Sequence, residues 1–229
     1  MPMIKRKGWC GLIAALWLLT CATPVAAQDA AKAQELVEAA LTSFGRMVAE
    51  PSMAWLGDHM KEARAILIVP KLVKGGFILG GSGGSGVLLA HDPQTGAWSD
   101  PAFCRLTSVT MGLQIGAQVS ELALMVMTED ALQSLLVDSI QLGGELSIAL
   151  GPFSTGATAA RNDIIAFSRT KGVYGGLTLE GATFSIQDQL NQAYYGRAVE
   201  PADILLSHAV SNEQAEPLRM VLAEASERQ

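Results

Sequence analysis

Charge and aromatic side chains are scarce in this chain. Of its 229 residues only 17% are charged and 6% are aromatic, while 49% are hydrophobic. That balance excludes a disordered, solvating polymer. Basic residues are in the minority, 16 Lys and Arg against 22 Asp and Glu for a formal net charge of -6, so a uniformly basic nucleic-acid binder is excluded as well. The three histidines, His59, His91 and His208, stand 32 and 117 residues apart. With no His-x-x-x-His spacing and no closely spaced cysteine pair, no metal-ligand set is legible. Beyond the first segment no apolar run approaches the ~18 residues of a membrane-spanning helix.

What is present at the start is an address. Lys5, Arg6 and Lys7 precede the apolar stretch Gly11-Leu-Ile-Ala-Ala-Leu-Trp-Leu-Leu19, and Val25-Ala26-Ala27 is a small-residue cleavage site. Residues 1–27 read as a signal peptide cut after Ala27, which places the mature chain, 28–229, in the periplasm or outside the cell. Lipoprotein anchoring at Cys21 is the weaker rival, because Thr20 stands where Gly, Ala or Ser is expected. Removing the signal takes away three basic residues, leaving 16 − 3 = 13 Lys and Arg against 22 acids, net −9. Cys104 is then the sole cysteine, unable to form an internal disulfide and read as a small buried hydrophobe.

The remaining chain has the length of one domain. Leu36, Val37, Ala40, Leu41, Phe44, Met47 and Val48 form one helical stripe within 29–50, ended by Pro51. A short helical piece near 58–64 leads into the apolar run Ala65-Ile-Leu-Ile-Val-Pro70. Glycine, 23 residues in all, then becomes dense, and 75–90 reads as two short strands around a glycine loop. Strands are expected over 113–127, 140–150, 163–168 and 173–186, with a helix at 128–137. Three helices close the chain, over 188–195, 202–208 and 217–227. Strands and helices do not alternate, so the fold class expected is α+β: a curved antiparallel sheet or barrel-like β-structure with flanking N- and C-terminal helices.

Two glycine motifs invite enzymatic readings and lack their context. Gly81-Ser-Gly-Gly-Ser-Gly86 matches a dinucleotide fingerprint, yet a strand and Pro93 follow it instead of the helix N-terminus that would hold a pyrophosphate. Ser82 in Gly80-Gly-Ser-Gly-Gly84 matches a nucleophile elbow, which likewise needs strand, turn and helix. The chain is therefore read as non-enzymatic, without cofactor, metal, nucleotide or nucleic acid. The conspicuous feature is electrostatic: Lys61, Arg64, Lys71 and Lys74 meet only Glu62 over fourteen residues, and Arg161, Arg169 and Lys171 form a second basic stretch. Basic side chains beside apolar strands suit an anionic lipid head and its tails. Equally, they suit solvated strand edges guarded against aggregation.

The ordered set Ala65-Ile-Leu-Ile-Val-Pro70, Gly75-Gly-Phe77, Gly84-Ser-Gly86, Trp98-Ser-Asp-Pro101, Gly112-Leu-Gln-Ile-Gly116, Gly151-Pro152, Ser168-Arg-Thr-Lys-Gly172 and Asn191-Gln-Ala-Tyr-Tyr-Gly196 resembles the SYLF domain, from about Ala39 to Leu206. The resemblance implies a lipid-binding module of compact antiparallel β-structure with flanking helices. Eukaryotic members are described as binding phosphoinositides at membranes, and some as bundling actin. For an exported chain, the part that transfers is binding of phospholipid or a membrane surface. Lys71 and Lys74, with Lys61, Arg64, Arg169 and Lys171, are then the expected phosphate contacts. Phe77 and Trp98 are the apolar ones, though both would serve equally in a core. The alternative is an envelope scaffold that binds another protein through sheet edges and glycine loops.

Overall fold

A computed structural model describes residues 23–76, 79–111, 116–137, 139–151, 162–170, 179 and 181–227. Helix α1 (Thr23–Val48) is followed by a 3₁₀ turn (Pro51–Met53), the short α2 (Ala54–Asp58) and a second 3₁₀ turn (Met60–Glu62). Four long strands come next: β1 (Ala65–Gly76), β2 (Leu79–Ala90), β3 (Ala102–Met111) and β4 (Gly116–Val126). Helix α3 (Glu129–Leu135), β5 (Ser139–Gln141), β6 (Ile148–Leu150), β7 (Ile164–Thr170) and β8 (Thr183–Ile186) complete the sheet. The chain closes with α4 (Asp188–Tyr195), α5 (Pro201–Leu205), a 3₁₀ turn (Glu213–Ala215) and α6 (Glu216–Glu227).

The eight strands form one curled half-barrel sheet in the order β5-β8-β3-β2-β1-β4-β7-β6. The expected α+β class holds, with one correction: β6 joins β7 in parallel, so the sheet is mixed at that edge. The expected strand over 140–150 is also divided in two, because Gly143 turns the chain at φ +80° between β5 and β6.

Residues Ala65 to Val69 are buried without a break, as in a strand covered on both faces. Ile66 and Ile68 join Val87, Leu89, Phe103, Ala123, Met125 and Phe167 beneath the stripe Ala33, Val37, Ala40, Phe44 and Met47 of α1. Helices α4 and α6 extend that cover through Leu190, Tyr194, Leu218 and Leu222. Ala65, Leu67 and Val69 face the other way, toward Leu88, Cys104, Leu124, Leu132 and Leu135 of α3, Phe184, and Ile204 of α5. Cys104 is fully buried there, and burial pushes its thiol pKa up, so it is the small hydrophobe expected.

The glycine run of β2 corrects the expected loop. Residues 79–90 are one continuous strand, and the irregularity lies in its neighbour. Val69 and Leu72 both face the α3 side although three residues apart, so Pro70 and Lys71 form a bulge in β1. The bulge crowds β2. A Cβ on Gly84 would stand 2.6 Å from the Lys71 carbonyl oxygen, and one on Gly86 2.5 Å from that of Ile68. Only glycine allows such an approach.

The parallel edge is stapled by Asp163. Its carboxylate accepts from the Ser147 hydroxyl at 2.7 Å, the Ser147 N–H at 3.0 Å and the Thr128 hydroxyl at 3.0 Å, while Thr128 caps α3. The Ser147 hydroxyl foremost, then its N–H and Thr128, hold Asp163 below the usual carboxylate range. The unfolded chain therefore takes up this proton first as pH falls. The stability Asp163 contributes is complete above the ordinary carboxylate value and is lost as pH drops through the depressed one. Asp163→Ala is expected to cost about 1 kcal/mol at pH 7, with a smaller gap to wild type at an acid pH below the ordinary carboxylate range. Urea midpoints at the two pH values check this, and a pH-independent gap would refute the assignment.

Candidate functional site

Helix α1 carries a second stripe beside its core stripe. Lys32, Glu35, Leu36, Ala39, Thr42 and Arg46 are spaced at successive turns, and all face a groove of about 730 Å³. Its opposite wall is the β1 bulge, Pro70 and Lys71, with Ser85 of β2. The floor is apolar (Leu36, Ala39, Pro70) and the rim is charged. Glu38 accepts from Gln34 at 2.9 Å. Arg46 reaches Glu121 on β4 at 2.5 Å, and Arg169 on β7 holds the same carboxylate at 3.1 Å and Glu50 at 3.7 Å. Lys32 and Lys71 form no ion pair with any described residue. Two ammonium groups outside any ion pair, with the Glu35 and Glu38 carboxylates on the same rim, therefore flank the apolar residues, an arrangement suited to a phosphate with hydrocarbon attached.

The expected basic stretch is not a patch. Arg64 and Lys74 lie at opposite ends of β1, ten residues or roughly 30 Å of strand apart. Lys61 sits exposed on the Met60–Glu62 turn, beside α6. Strand alternation and the bulge put Lys71 and Lys74 on opposite faces of the sheet, so they do not clamp one phosphate together. Lys74 is in register with Ser82 and Gln118. It belongs to a polar belt in which Ser82 and Ser108 share a hydrogen bond of 2.7 Å and Ser120 and Thr170 one of 2.9 Å. Arg169 is engaged by Glu121 and Glu50. Phe77, Lys171 and Arg161 lie outside the described residues. Of the six expected contacts among the described residues, only Lys71 lines the groove.

Trp98 is a core residue, buried under α6, stacked on His91 at 4.7 Å and donating to the Ser226 hydroxyl at 3.1 Å. The segments around it pin the helices. Asp100, 3% exposed, accepts from the Asn212 N–H at 2.9 Å and pairs with Arg219 at 3.3 Å. The Asn191 side chain accepts from the Phe103 N–H at 2.8 Å, and the Tyr195 hydroxyl donates to the Pro101 carbonyl at 2.7 Å. Trp98–Pro101 and Asn191–Gly196 are thus one structural junction. Gly81–Gly86 lies within β2 with no helix after it, and the Ser82 hydroxyl meets Ser108. Among the described residues, no three His, Cys, Asp or Glu side chains converge to hold a metal, and no helix is long and apolar enough to cross a membrane.

Lys32 and Arg46 were missed by the reading of the sequence. Their one signal is the second stripe on α1, which has no meaning until the bulge stands opposite it.

A family model described as Ysc84, the Las17-binding protein actin regulator, matches residues 107–225, just over half of the chain. SH3 domain-containing YSC84-like protein 1 of Homo sapiens is 29% identical over 168 residues, which is 71% of this chain and 49% of that protein. LAS seventeen-binding protein 3 of Saccharomyces cerevisiae is 28% identical over 173 residues, 72% of this chain and 37% of the relative. The chain spans about half or less of the length of these relatives. No solved structure matches it.

Proposed function

The chain belongs to the Ysc84 family, the SYLF-domain family of the resemblance, and from that membership we propose that it is a non-enzymatic domain that binds phospholipid at a membrane surface. The observation that carries this reading is the groove between α1 and the β1 bulge, where Lys32 and Lys71, neither in an ion pair with a described residue, line the same cleft as Leu36, Ala39 and Pro70. The ammonium groups neutralise the phosphate, and the apolar floor shields the first methylenes of the acyl chains, at roughly 25 cal/mol per Å² removed from water. The basic, apolar and small-residue order of residues 1–27 supports export, so the membrane proposed is that of the cell envelope. The relatives' names favour a second reading, in which the same surface holds a protein, as the yeast relative's name says of Las17.

Vesicle flotation separates the two. Binding to phosphatidylglycerol vesicles in preference to phosphatidylcholine, fading with salt, is the expected outcome. Lys71→Glu is expected to weaken it about tenfold, since each basic residue near an anionic surface contributes ~1 kcal/mol and the reversal removes one and opposes it. Binding that survives Lys71→Glu and Lys32→Glu together would remove the groove from the reading.

A further inference from the structure

Beyond the flank of α1 the sheet's helix-bearing face continues with no described helix over it, and its composition changes abruptly. Val119, Val73, Gly83 and Thr107 stand side by side across β4, β1, β2 and β3, followed by Gly75, Gly81 and Val109 two residues further on. Residues paired in register share a face, so these form one strip, bare of charge. Its valines are open: Val73 is 42% exposed, Val119 44% and Val109 83%. Exposed Val109, flanked by glycines, is not explained by packing.

One step back toward α1 lies a row of opposite character. Arg169 and Glu121 are paired in register, Ser85 and Arg105 likewise, and Lys71 stands between them in the bulge. With Arg46 from α1, the row itself gathers four cations, of which Arg46 and Arg169 pair with Glu121 and Glu50, while Glu35 and Glu38 of α1 share the groove with Lys71. Cations first and a strip of valine roughly 7 Å beyond is the order of an anionic head-group layer and the hydrocarbon under it.

We infer that the Val73–Val109–Val119 strip enters the hydrocarbon of an anionic bilayer while the Arg46–Lys71–Arg105–Arg169 row meets its head groups. The inference rests on the lipid reading and adds to it a depth and an orientation. At the same level the reverse face carries Lys74, Ser82 and Gln118, so the sheet leans on the bilayer by one face and does not cross it. A second copy is a poorer occupant, because two such faces in contact would oppose their cationic rows.

The test uses the full chain with phosphatidylglycerol-containing vesicles. In Val109→Trp, the emission gained over wild type is expected to shift to the blue and to be quenched by lipids brominated in the acyl chain. Val73→Ser/Val109→Ser/Val119→Ser, neutral changes at exposed positions, is expected to float roughly tenfold more weakly at high salt, with an unchanged urea midpoint. If the protein floats while the Val109→Trp emission is unquenched and the triple variant binds as wild type, the strip is overturned and the lipid reading stands. A wild type that stays with neither vesicle removes both. A dimeric wild type made monomeric by the triple variant gives the strip to a second copy.

Discussion

Gly86→Val is expected to lower the thermal midpoint by roughly 10 °C, whereas Gly45→Ala is expected to raise it slightly. The two glycines look alike in the sequence and differ in what surrounds them. A Cβ on Gly86 meets the Ile68 carbonyl oxygen at 2.5 Å and a Val69 methyl at 2.8 Å. The first is backbone in the middle of the β1–β2 ladder, so relief requires separating the two strands that hold the sheet's centre. Overpacking of a well-filled site costs about 1–3 kcal/mol, and more when backbone must shift. At roughly 2–4 °C per kcal/mol for a domain of this size, about 3 kcal/mol becomes the stated shift. A Cβ on Gly45, inside α1, meets nothing within 4 Å, and alanine there gains about 1 kcal/mol of helix propensity. Circular dichroism melts of the two variants decide the matter. A Gly86→Val midpoint within about 2 °C of wild type would mean that the bulge is not pressed against β2.

That contrast also marks where the sequence stops being legible. Helix α1 and the closing helices could be read from period alone, and residues 188–195 form a helix over the expected span. The signal is local there, because one face of each helix is buried. The β2 glycines could not be read, because the reason for them is the bulge of β1, some fifteen residues away. The parallel pairing of β6 with β7 likewise has no local signature: three-residue strands carry too few side chains to show a period. The site divides in the same way. Lys71 was legible as a cation beside apolar strand. The second lysine of the groove, Lys32, is 39 residues earlier on an amphipathic helix whose polar face is not rich in Lys or Arg. The count of charge over 61–74 was legible, whereas its distribution was not. Strand length separates Arg64 from Lys74, and the bulge decides that Lys71 and Lys74 look in opposite directions.

Phe44→Ala should then be the most damaging change to function among core positions, because α1 supplies half of the groove. Phe44 is fully buried at the centre of the α1 stripe, in the same core cluster as Ile68, Val87 and Phe167. Removing a buried phenylalanine costs about 3–5 kcal/mol, or roughly 10–15 °C here. The loss is not spread evenly. The β1–β2, β2–β3 and β1–β4 ladders and the whole α3–α5 side do not depend on this side chain, so the weakened element is α1 itself. Opening of α1 carries Lys32 and Arg46 away from Lys71 and frees Glu121 to pair with Arg169 alone. Leu135→Ala, at a buried position of α3 on the other side of the sheet, costs a comparable ~2–5 kcal/mol and leaves the groove in place. Well below both midpoints, Phe44→Ala is therefore expected to lose vesicle binding at least tenfold while Leu135→Ala retains it. Amide exchange of α1 should rise in the first variant and not in the second. Equal binding by the two variants would show that the seat of α1 does not set the site, and the cations that hold lipid would have to be sought on the sheet alone.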